Sequence, residues 1–474
     1  MSRTAATVPV IPGFHPDPSV CRVGDDYYLA NSSFEYVPAV PIWHSRDLVA
    51  WTQVGNALVR DEQFPAARAG DSGGIYAPTL RHHRGRFWLI TSDVGDPHGG
   101  QRLFRADAIE GPWSDAIELP ELRGIDPDLC FTDEGECLVT YCSWTGGPSA
   151  VWQAAIDADT GRVLDPPRLL WGGTELGHTE APHLYRRGHW WYLVVAEGGT
   201  ERGHGVSVAR SRSPRGPFES APHNPVYTHR STERPVQNVG HADLVERPDG
   251  TWAAVHLGVR PRGMTPSFHV NGRETFLAEV DWVDDWPAFR PSDAIPPAGA
   301  WDVDDRFDRL HPRWVSPRAR IEDFARPVQG GLEVRGVEGS GVYTRLQALH
   351  WTAVFDVDSA DADSVVHAEI RLDDRHRVGV RIAAGTATAI WTVGGAMVEL
   401  GSVDATRGRL EIASVASATG GPDDVMLTAD GQSLGTIDGR YLSTEVAAGF
   451  TGRVAGVRVE RGVAIVRRIA ITES

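Results

Sequence analysis

Short apolar and aromatic runs recur along the N-terminal part of the chain, and each one follows a turn that contains glycine. The turn glycines are Gly24, Gly85, Gly135, Gly188 and Gly250, with spacings of 61, 50, 53 and 62 residues. The apolar runs that follow them occupy residues 27–30, 87–90, 138–141, 190–195 and 252–255. Repeats of about 50 residues that contain several strands are typical of propeller blades. The five copies therefore predict a five-bladed β-propeller.

The first predicted strand of every copy opens with a polar residue. These residues are Asp17, Tyr76, Asp126, Glu180 and His241. In a propeller the first strand of each blade lines the central axis, so the five side chains are predicted to face one pocket. Proline follows Asp17 and Asp126 directly, which suits a strand start because proline has no N–H for the sheet. The alternative is that the five residues only form equivalent turns and carry no chemistry.

The C-terminal part of the chain shows a different alternation of apolar and polar residues. Its predicted strands occupy residues 342–346, 365–372, 377–382, 388–393 and 425–428, with little helical pattern anywhere. Alternation of period two with closely spaced turns is typical of a β-sandwich. A segment rich in Pro, Ala and Gly at residues 295–300 lies between the two parts. We therefore predict an all-β protein, with a five-bladed propeller domain at residues 1–297 and a β-sandwich domain at residues 298–474.

Length, charge and cysteine usage narrow the class of protein. The chain has 474 residues, which is enough for two domains, and its formal net charge of −17 argues against nucleic acid or an anionic membrane as a partner. The sequence has no run of 18 apolar residues and no apolar signal-peptide core near Met1. Its four cysteines form no CxxC pair. We therefore expect a cytoplasmic protein with free thiols, and whether it forms a homo-oligomer is left open.

The polar residues of the predicted pocket suit hydrolysis of a sugar acetal. That reaction needs an acid to protonate the leaving oxygen and a carboxylate at the anomeric carbon, and Asp17 and Glu180 can supply both. A third carboxylate, Asp126, would raise the pKa of a neighbouring acid because like charges repel. Glu180 has the longer reach, which favours it as the proton donor. Arg273, in the fifth copy, is either a surface ion-pair partner or a ligand for sugar hydroxyls.

His241 and the cluster as a whole each leave alternatives open. His241 is either a core histidine satisfied by the backbone or a polar residue of the axial channel that holds water or a metal ion. The cluster as a whole fits a glycosidase, a sugar-binding propeller without catalysis, or a fructan-processing propeller. The third needs a nucleophile motif that is not found here. The presence of all three acids favours catalysis over binding alone.

Eight stretches give the chain a resemblance to a known family. They are residues 13–19, 33–36, 73–78, 124–127, 180–185, 196–200, 240–245 and 272–276. In this order and spacing the chain resembles glycoside hydrolase family 43, specifically its β-xylosidase/α-L-arabinofuranosidase type with a C-terminal β-sandwich. The resemblance in the C-terminal part is weaker and is carried by residues 450–452.

The resemblance implies roles for single residues. Asp17 matches the general base, Glu180 the general acid, and Asp126 the residue that tunes and orients that acid. The matches to substrate-binding pocket residues are Phe34, Tyr76, His241 and Arg273. In some members the position of His241 faces a calcium ion in the channel, so a structural Ca²⁺ there is an expectation, with no cofactor needed for the chemistry.

The resemblance further implies an inverting exo-glycosidase that removes terminal β-D-xylose or α-L-arabinofuranose from short oligosaccharides. The chain departs from the family at Tyr76, where many xylosidases have Trp, and at Ala181, which replaces a frequent Gly. Its C-terminal part is also shorter than usual. In some members a loop of that part closes the pocket. Whether it does so here, and which pentose is preferred, are left open by the sequence.

Overall fold

Strands dominate the computed structural model, which describes residues 8–96, 98–359, 361, 363–404 and 407–473. The all-β class is confirmed. The five turn glycines of the repeat all adopt positive φ angles, between 59° at Gly188 and 88° at Gly135, which is the conformation that a tight turn requires. The apolar runs predicted to follow them all lie inside strands.

Five four-stranded antiparallel sheets are formed in succession by the N-terminal part. The first sheet contains β1 (Ser19–Val23), β2 (Asp26–Ala30), β4 (Ala39–Ser45) and β5 (Thr52–Leu58), and the short β3 (Tyr36–Val37) lies between β2 and β4 in the chain without joining this sheet. The second sheet contains β6 (Ile75–His83), β7 (Arg86–Asp93), β8 (Gln101–Ala106) and β9 (Ile117–Leu119). The third, fourth and fifth sheets contain β10 (Ile125–Phe131), β11 (Cys137–Ser143), β12 (Ala150–Ile156), β13 (Val163–Trp171), β14 (Glu180–Arg187), β15 (Trp190–Glu197), β16 (Gly205–Ser211), β17 (Glu219–Ser220), β18 (Gln237–Glu246), β19 (Trp252–Val259), β20 (Glu274–Val283) and β21 (Trp286–Pro291).

The first strand is irregular near its start in four of the five sheets. The register between neighbouring strands shifts near the start of β6, β10, β14 and β18. In or just before each first strand a residue has a positive φ, and these residues are Asp17, Ala77, Asp126, Ala181 and His241, with a second one at Asn238 in the fifth sheet. All five residues that were predicted to face one pocket, Asp17, Tyr76, Asp126, Glu180 and His241, do line one cavity. Tyr76 and Glu180 each lie one residue before the position with the positive φ, whereas Asp17, Asp126 and His241 occupy it.

Two larger antiparallel sheets make up most of the C-terminal part. An eight-stranded sheet has the order β24, β25, β36, β27, β32, β33, β34, with β22 paired to β36, and a six-stranded sheet has the order β26, β35, β28, β29, β30, β31. Their bounds, with β23, which pairs with β3, are β22 (Val303–Asp305), β23 (Ser316–Pro317), β24 (Ala325–Val328), β25 (Gly331–Arg335), β26 (Val342–Arg345), β27 (Trp351–Ser359), β28 (Val365–Asp373), β29 (His376–Ala383), β30 (Thr386–Val393), β31 (Ala396–Asp404), β32 (Arg407–Val415), β33 (Asp424–Ala429), β34 (Gln432–Ile437), β35 (Val454–Arg461) and β36 (Val463–Glu473).

One apolar core holds the two larger sheets together. It contains Trp351 and Phe355 from β27 in one sheet and Ile370 and Val380 from β28 and β29 in the other, all of them buried. The helices are one turn each, α1 (Ile321–Phe324) and α2 (Thr444–Ala447), and in the described part of the chain no helix is long and apolar enough to cross a membrane. All four cysteines are buried free thiols, as expected.

Candidate active site

The structure brings the three predicted acids to one cavity of about 420 Å³. Asp17 precedes β1, Asp126 lies in β10 and Glu180 opens β14, so each comes from a different sheet. The other lining residues are Tyr76, Ile125, His178, Gly198, Gly199, Thr200, Glu201, His241, Arg273 and Phe450. The positive φ of Asp17 and Asp126, 54° in both, turns these side chains out of the strand alternation and into the cavity.

Asp17 is held as a carboxylate. Its side chain is buried, Arg273 donates from Nη1 to Oδ1 at 3.0 Å, and Ser32 donates from Oγ to Oδ2 at 2.5 Å. Burial alone would raise the pKa of Asp17, but Arg273, His241 and Ser32 outweigh it and leave that pKa below its usual value. Asp17 is therefore ionised at neutral pH and ready to accept a proton.

Glu180 and Asp126 form a pair of carboxyl groups whose pKa values are both raised. Burial raises the pKa of Glu180 to about 7, with Arg273 acting against the rise and Asp17 adding to it. The pKa of Asp126 is raised well above its usual value by burial, then by Glu180 and then by Asp17. The N–H of Ala181 donates to Oδ2 of Asp126 at 3.1 Å, which fixes this carboxyl beside Glu180. The pair therefore keeps a proton near neutral pH while Asp17 has lost its own.

His241 faces the acids from the fifth sheet. Its Nδ1 lies 3.5 Å from Oδ1 of Asp17, and burial lowers its pKa to about 3, so the ring is neutral. Calcium takes six to eight oxygen ligands, whereas His241 offers nitrogen and Asp17 is already bound by two donors. Among the described residues no three metal-ligating side chains come together as a metal site. These residues do not make a calcium site of their own, and a calcium ion at His241 stays a prediction.

Aromatic side chains form one wall of the cavity. Tyr76 packs against Phe34 and Phe450 with ring centroids 5.4 and 5.8 Å away, and its hydroxyl donates to the carbonyl of Ser72 at 2.6 Å. Phe34 is fully buried and lies behind the wall instead of lining it. Phe450 comes from the C-terminal part, and its N–H donates to Oγ of Ser72 at 2.8 Å. The C-terminal part therefore does reach the pocket.

Several residues of the site were not identified from the sequence as functional. They are Ser32, His178, Thr200, Glu201 and His204. Thr200 accepts from Nη1 of Arg273 at 3.1 Å, and Nε2 of His204 lies 3.9 Å from Oε1 of Glu180. Thr200 ends a stretch that carries the family resemblance, so that signal could have found it. His178 and Glu201 lie on loops with no pattern of their own, and only the structure places them at the cavity.

A buried ionic cluster closes the interior beneath the cavity. Arg81 of β6 donates to Asp128 of β10 at 2.7 Å and to Asp243 of β18 at 2.8 Å. Ser19 of β1 donates to Asp243 at 2.7 Å, and Tyr185 of β14 donates to the same carboxylate. All five sheets contribute to this cluster, so the strands that carry the acids above it are fixed relative to one another.

Comparison with protein families decides where this site belongs. A family model described as Glycosyl hydrolases family 43 matches residues 6–287, which include all three acids. The chain belongs to this family. Among family 43 structures, that of a xylan β-1,4-xylosidase from Bacillus halodurans C-125 covers 98% of this chain and 99% of its own, with a TM-score of 0.87 and 31% identity.

Two curated relatives of this family 43 chain differ in how much they share with it. A xylosidase/arabinosidase from Butyrivibrio fibrisolvens is 43% identical over 301 residues, which is 60% of this chain and 56% of the relative. A non-reducing end α-L-arabinofuranosidase from Bacteroides ovatus is 33% identical over 489 residues, which is 95% of this chain and 90% of the relative. The matched stretch thus spans little more than half of the first relative and nearly all of the second.

Proposed function

We propose that the protein is an exo-acting glycoside hydrolase that releases terminal β-D-xylose or α-L-arabinofuranose from short xylo- or arabino-oligosaccharides. The observation that carries the proposal is a single cavity in which Asp17 stays ionised while burial raises the pKa of Glu180 to about 7. Two carboxyl groups with opposite shifts are what an acid and a base in one displacement require. A protein that only binds sugar has no need of that difference. The names of the relatives support the pentose class.

In the proposed mechanism a water molecule displaces the leaving group in a single step, which inverts the configuration at the anomeric carbon. Asp17 takes a proton from the attacking water, and Glu180 gives its proton to the leaving oxygen. Asp126 helps to keep that proton on Glu180, and Arg273 keeps Asp17 ionised between turnovers. Inversion requires about 6.5–9.5 Å between the two carboxyl groups so that a water fits between them. Their origin in different sheets supports such a separation.

We also propose how the sheets are arranged. The five four-stranded sheets are the blades of a propeller in residues 1–297, and the two larger sheets form a β-sandwich in residues 298–474. The cluster around Arg81, to which every one of the five sheets contributes, supports a common axis. The apolar core shared by the two larger sheets supports the sandwich.

The first experiment compares substrates. Nitrophenyl β-D-xyloside and α-L-arabinofuranoside should be hydrolysed and the β-D-glucoside should be poor; equal or faster turnover of the glucoside would contradict the proposal. Proton NMR of the first product, before mutarotation, should show α-xylose from a β-xyloside. If β-xylose appears first, or if pentose is transferred to added methanol, the inverting mechanism is wrong.

Two variants separate the roles of the acids. Glu180→Gln should lose far more activity on xylobiose than on nitrophenyl xyloside, because nitrophenolate leaves without needing a proton. Asp17→Asn should lose activity on both substrates alike, since the attacking water needs its base in each case. A Glu180→Gln variant with equal losses on the two substrates would remove Glu180 from the role of acid.

A further inference from the structure

A second cavity, of about 100 Å³, lies where the first sheet meets the C-terminal part. It is lined by His15, Trp43, Trp51, Thr52, Gln53, Ala300, Trp301, His311, Arg313, Thr344, Arg345 and Gln347. Two of these residues are arginines, and none of these described lining residues is Asp or Glu. Thr52 at the rim is exposed, so the cavity is within reach of solvent.

Arg345 is a buried cation that forms no ion pair with a described residue, although Glu35 is near enough for its charge to favour the charged guanidinium. Its side chain belongs to a residue that is 4% exposed, and its guanidinium donates to no acceptor among the described residues; Nε and Nη2 are fully enclosed. One face of the guanidinium lies 4.5 Å from the ring centroid of Phe14, which supplies attraction but no hydrogen-bond acceptor. Arg453 is even more buried and shows the contrast, because it donates to the carbonyls of Leu442 at 2.9 Å and Gly439 at 2.6 Å.

Two other donors that line the cavity with Arg345 also lack a charged acceptor among the described residues. Nε1 of Trp43 is buried without a partner in the described part of the chain. Arg313 forms no ion pair with a described residue and donates only to the ring nitrogen of His311, at 3.3 Å. Burial lowers the pKa of Arg345 to about 10, which still leaves it charged at neutral pH. A buried and unpaired guanidinium is costly, and a native protein that contains one normally supplies an anion or ordered water.

We propose that this cavity binds a small oxyanion, such as phosphate or a carboxylate, between Arg345 and Arg313. The volume has room for several water molecules, and therefore for a tetrahedral or planar oxyanion. The anion accepts hydrogen bonds from the guanidinium of Arg313 and from Nη1 of Arg345, which is not among the enclosed nitrogens. The net charge of −17 repels anions in general, so binding at this place depends on the local cations. This site is separate from the cavity of the three acids and does not depend on the proposed activity.

The test is calorimetric titration with inorganic phosphate, sulfate and acetate at pH 7.5, in sodium chloride that keeps the ionic strength constant. The wild-type protein should show saturable binding of one anion per chain for at least one of the three, and the order of their affinities distinguishes a tetrahedral from a planar ligand. Arg345→Met should weaken binding at least tenfold, and Arg313→Met should weaken it as well. The matched control is Arg22→Met, because Arg22 is exposed and has no carboxylate partner among the described residues.

The outcomes decide between an anion and water. Loss of binding in Arg345→Met with unchanged binding in Arg22→Met supports the site. Wild-type protein that binds none of the three anions would show that the cavity holds water alone, and equal binding by wild type and Arg345→Met would show that the anion sits elsewhere. Either result overturns the proposal. If Arg345→Met does not fold by circular dichroism, the comparison of Arg313→Met with Arg22→Met carries the same decision.

Discussion

Replacing Arg273 with Met should move the pH–rate profile to higher pH. The Nη1 atom of Arg273 lies 3.0 Å from Oδ1 of Asp17, and both residues are buried. At that distance two unit charges attract by about 5–6 kcal/mol with an effective dielectric constant of roughly 20, before desolvation is subtracted. A neighbouring arginine typically lowers the pKa of a carboxyl by about 1–3 units. Because Ser32 and His241 remain, we expect the acid limb of the profile to rise by about 1–2 pH units.

The same variant should also move the alkaline limb of the profile to higher pH. Arg273 lowers the pKa of Glu180, which burial raises to about 7, so its removal makes the proton on Glu180 harder to lose. Measuring kcat/KM for nitrophenyl xyloside from about pH 3 to about pH 9 records the alkaline limb of both proteins and the upward shift of the acid limb, which in the wild type lies at low pH because the pKa of Asp17 is below its usual value. The free enzyme sets both limbs of kcat/KM, so weaker binding of the sugar lowers the whole curve without shifting it.

Two further variants test whether the positive charge of Arg273 is the cause of the shift. Arg273→Lys keeps the positive charge and should leave the acid limb close to that of the wild type, even if KM rises. Ser32→Ala removes the 2.5 Å hydrogen bond to Asp17 and should give a smaller upward shift. If the profile of Arg273→Met superimposes on that of the wild type after scaling, Arg273 does not set the charge of Asp17.

Three more predictions concern groups around this centre. Asp126→Asn should lower turnover and shift the alkaline limb to lower pH, because the neighbouring carboxyl that opposes ionisation of Glu180 is gone; an unmoved limb would show that Asp126 is itself neutral there. Phe450→Ala should raise KM about fivefold to thirtyfold, for aromatic contacts worth roughly 1–2 kcal/mol, with kcat much less affected; an unchanged KM would exclude a role in binding. Glu35→Gln should flatten the dependence of Tm on pH between 5 and 8. Burial raises the pKa of folded Glu35 to about 7. Between the ordinary pKa of a glutamate and 7, the folded protein therefore holds a proton that the unfolded chain has already released, and rising pH favours unfolding. Parallel Tm curves for variant and wild type would contradict this.

The sequence was sufficient for the strands but not for the local geometry of the pocket. Turn glycines such as Gly24 and Gly85 predicted the repeats, because a positive φ is needed between two paired strands and glycine supplies it. The bulges at the strand starts could not be predicted, since one extra residue leaves no trace in an alternation that proline already interrupts. For that reason the sequence does not show that Tyr76 and Glu180 reach the cavity from the position just before the residue with the positive φ, at Ala77 and Ala181.

Contacts between distant parts of the chain account for most of what the sequence did not predict at the site. Phe450 and Ser72 form a hydrogen bond although they lie 378 residues apart, and no sequence pattern around either residue predicts this contact. The sequence gives more indication that Asp17 and Arg273 lie near each other, because both belong to stretches that carry the family resemblance. Even there, only the structure shows that the arginine binds Asp17 itself and also contacts Thr200.

The way in which the first sheet meets the last has a consequence for how the protein is made. Each of the five sheets is built from strands that follow one another along the chain, so within the described residues no sheet contains strands from both ends of the repeat region. The two ends are instead joined by the hydrogen bond from Ser19 to Asp243, by the pairing of Ile11 with Thr275, and by Arg273 on Asp17. During synthesis these contacts cannot all form until β20 has left the ribosome, and until then Asp17 lacks its ion pair with Arg273. The proposed acid–base pair is therefore completed late, and a chain interrupted before Arg273 would contain all three acids but lack the cation that keeps Asp17 ionised.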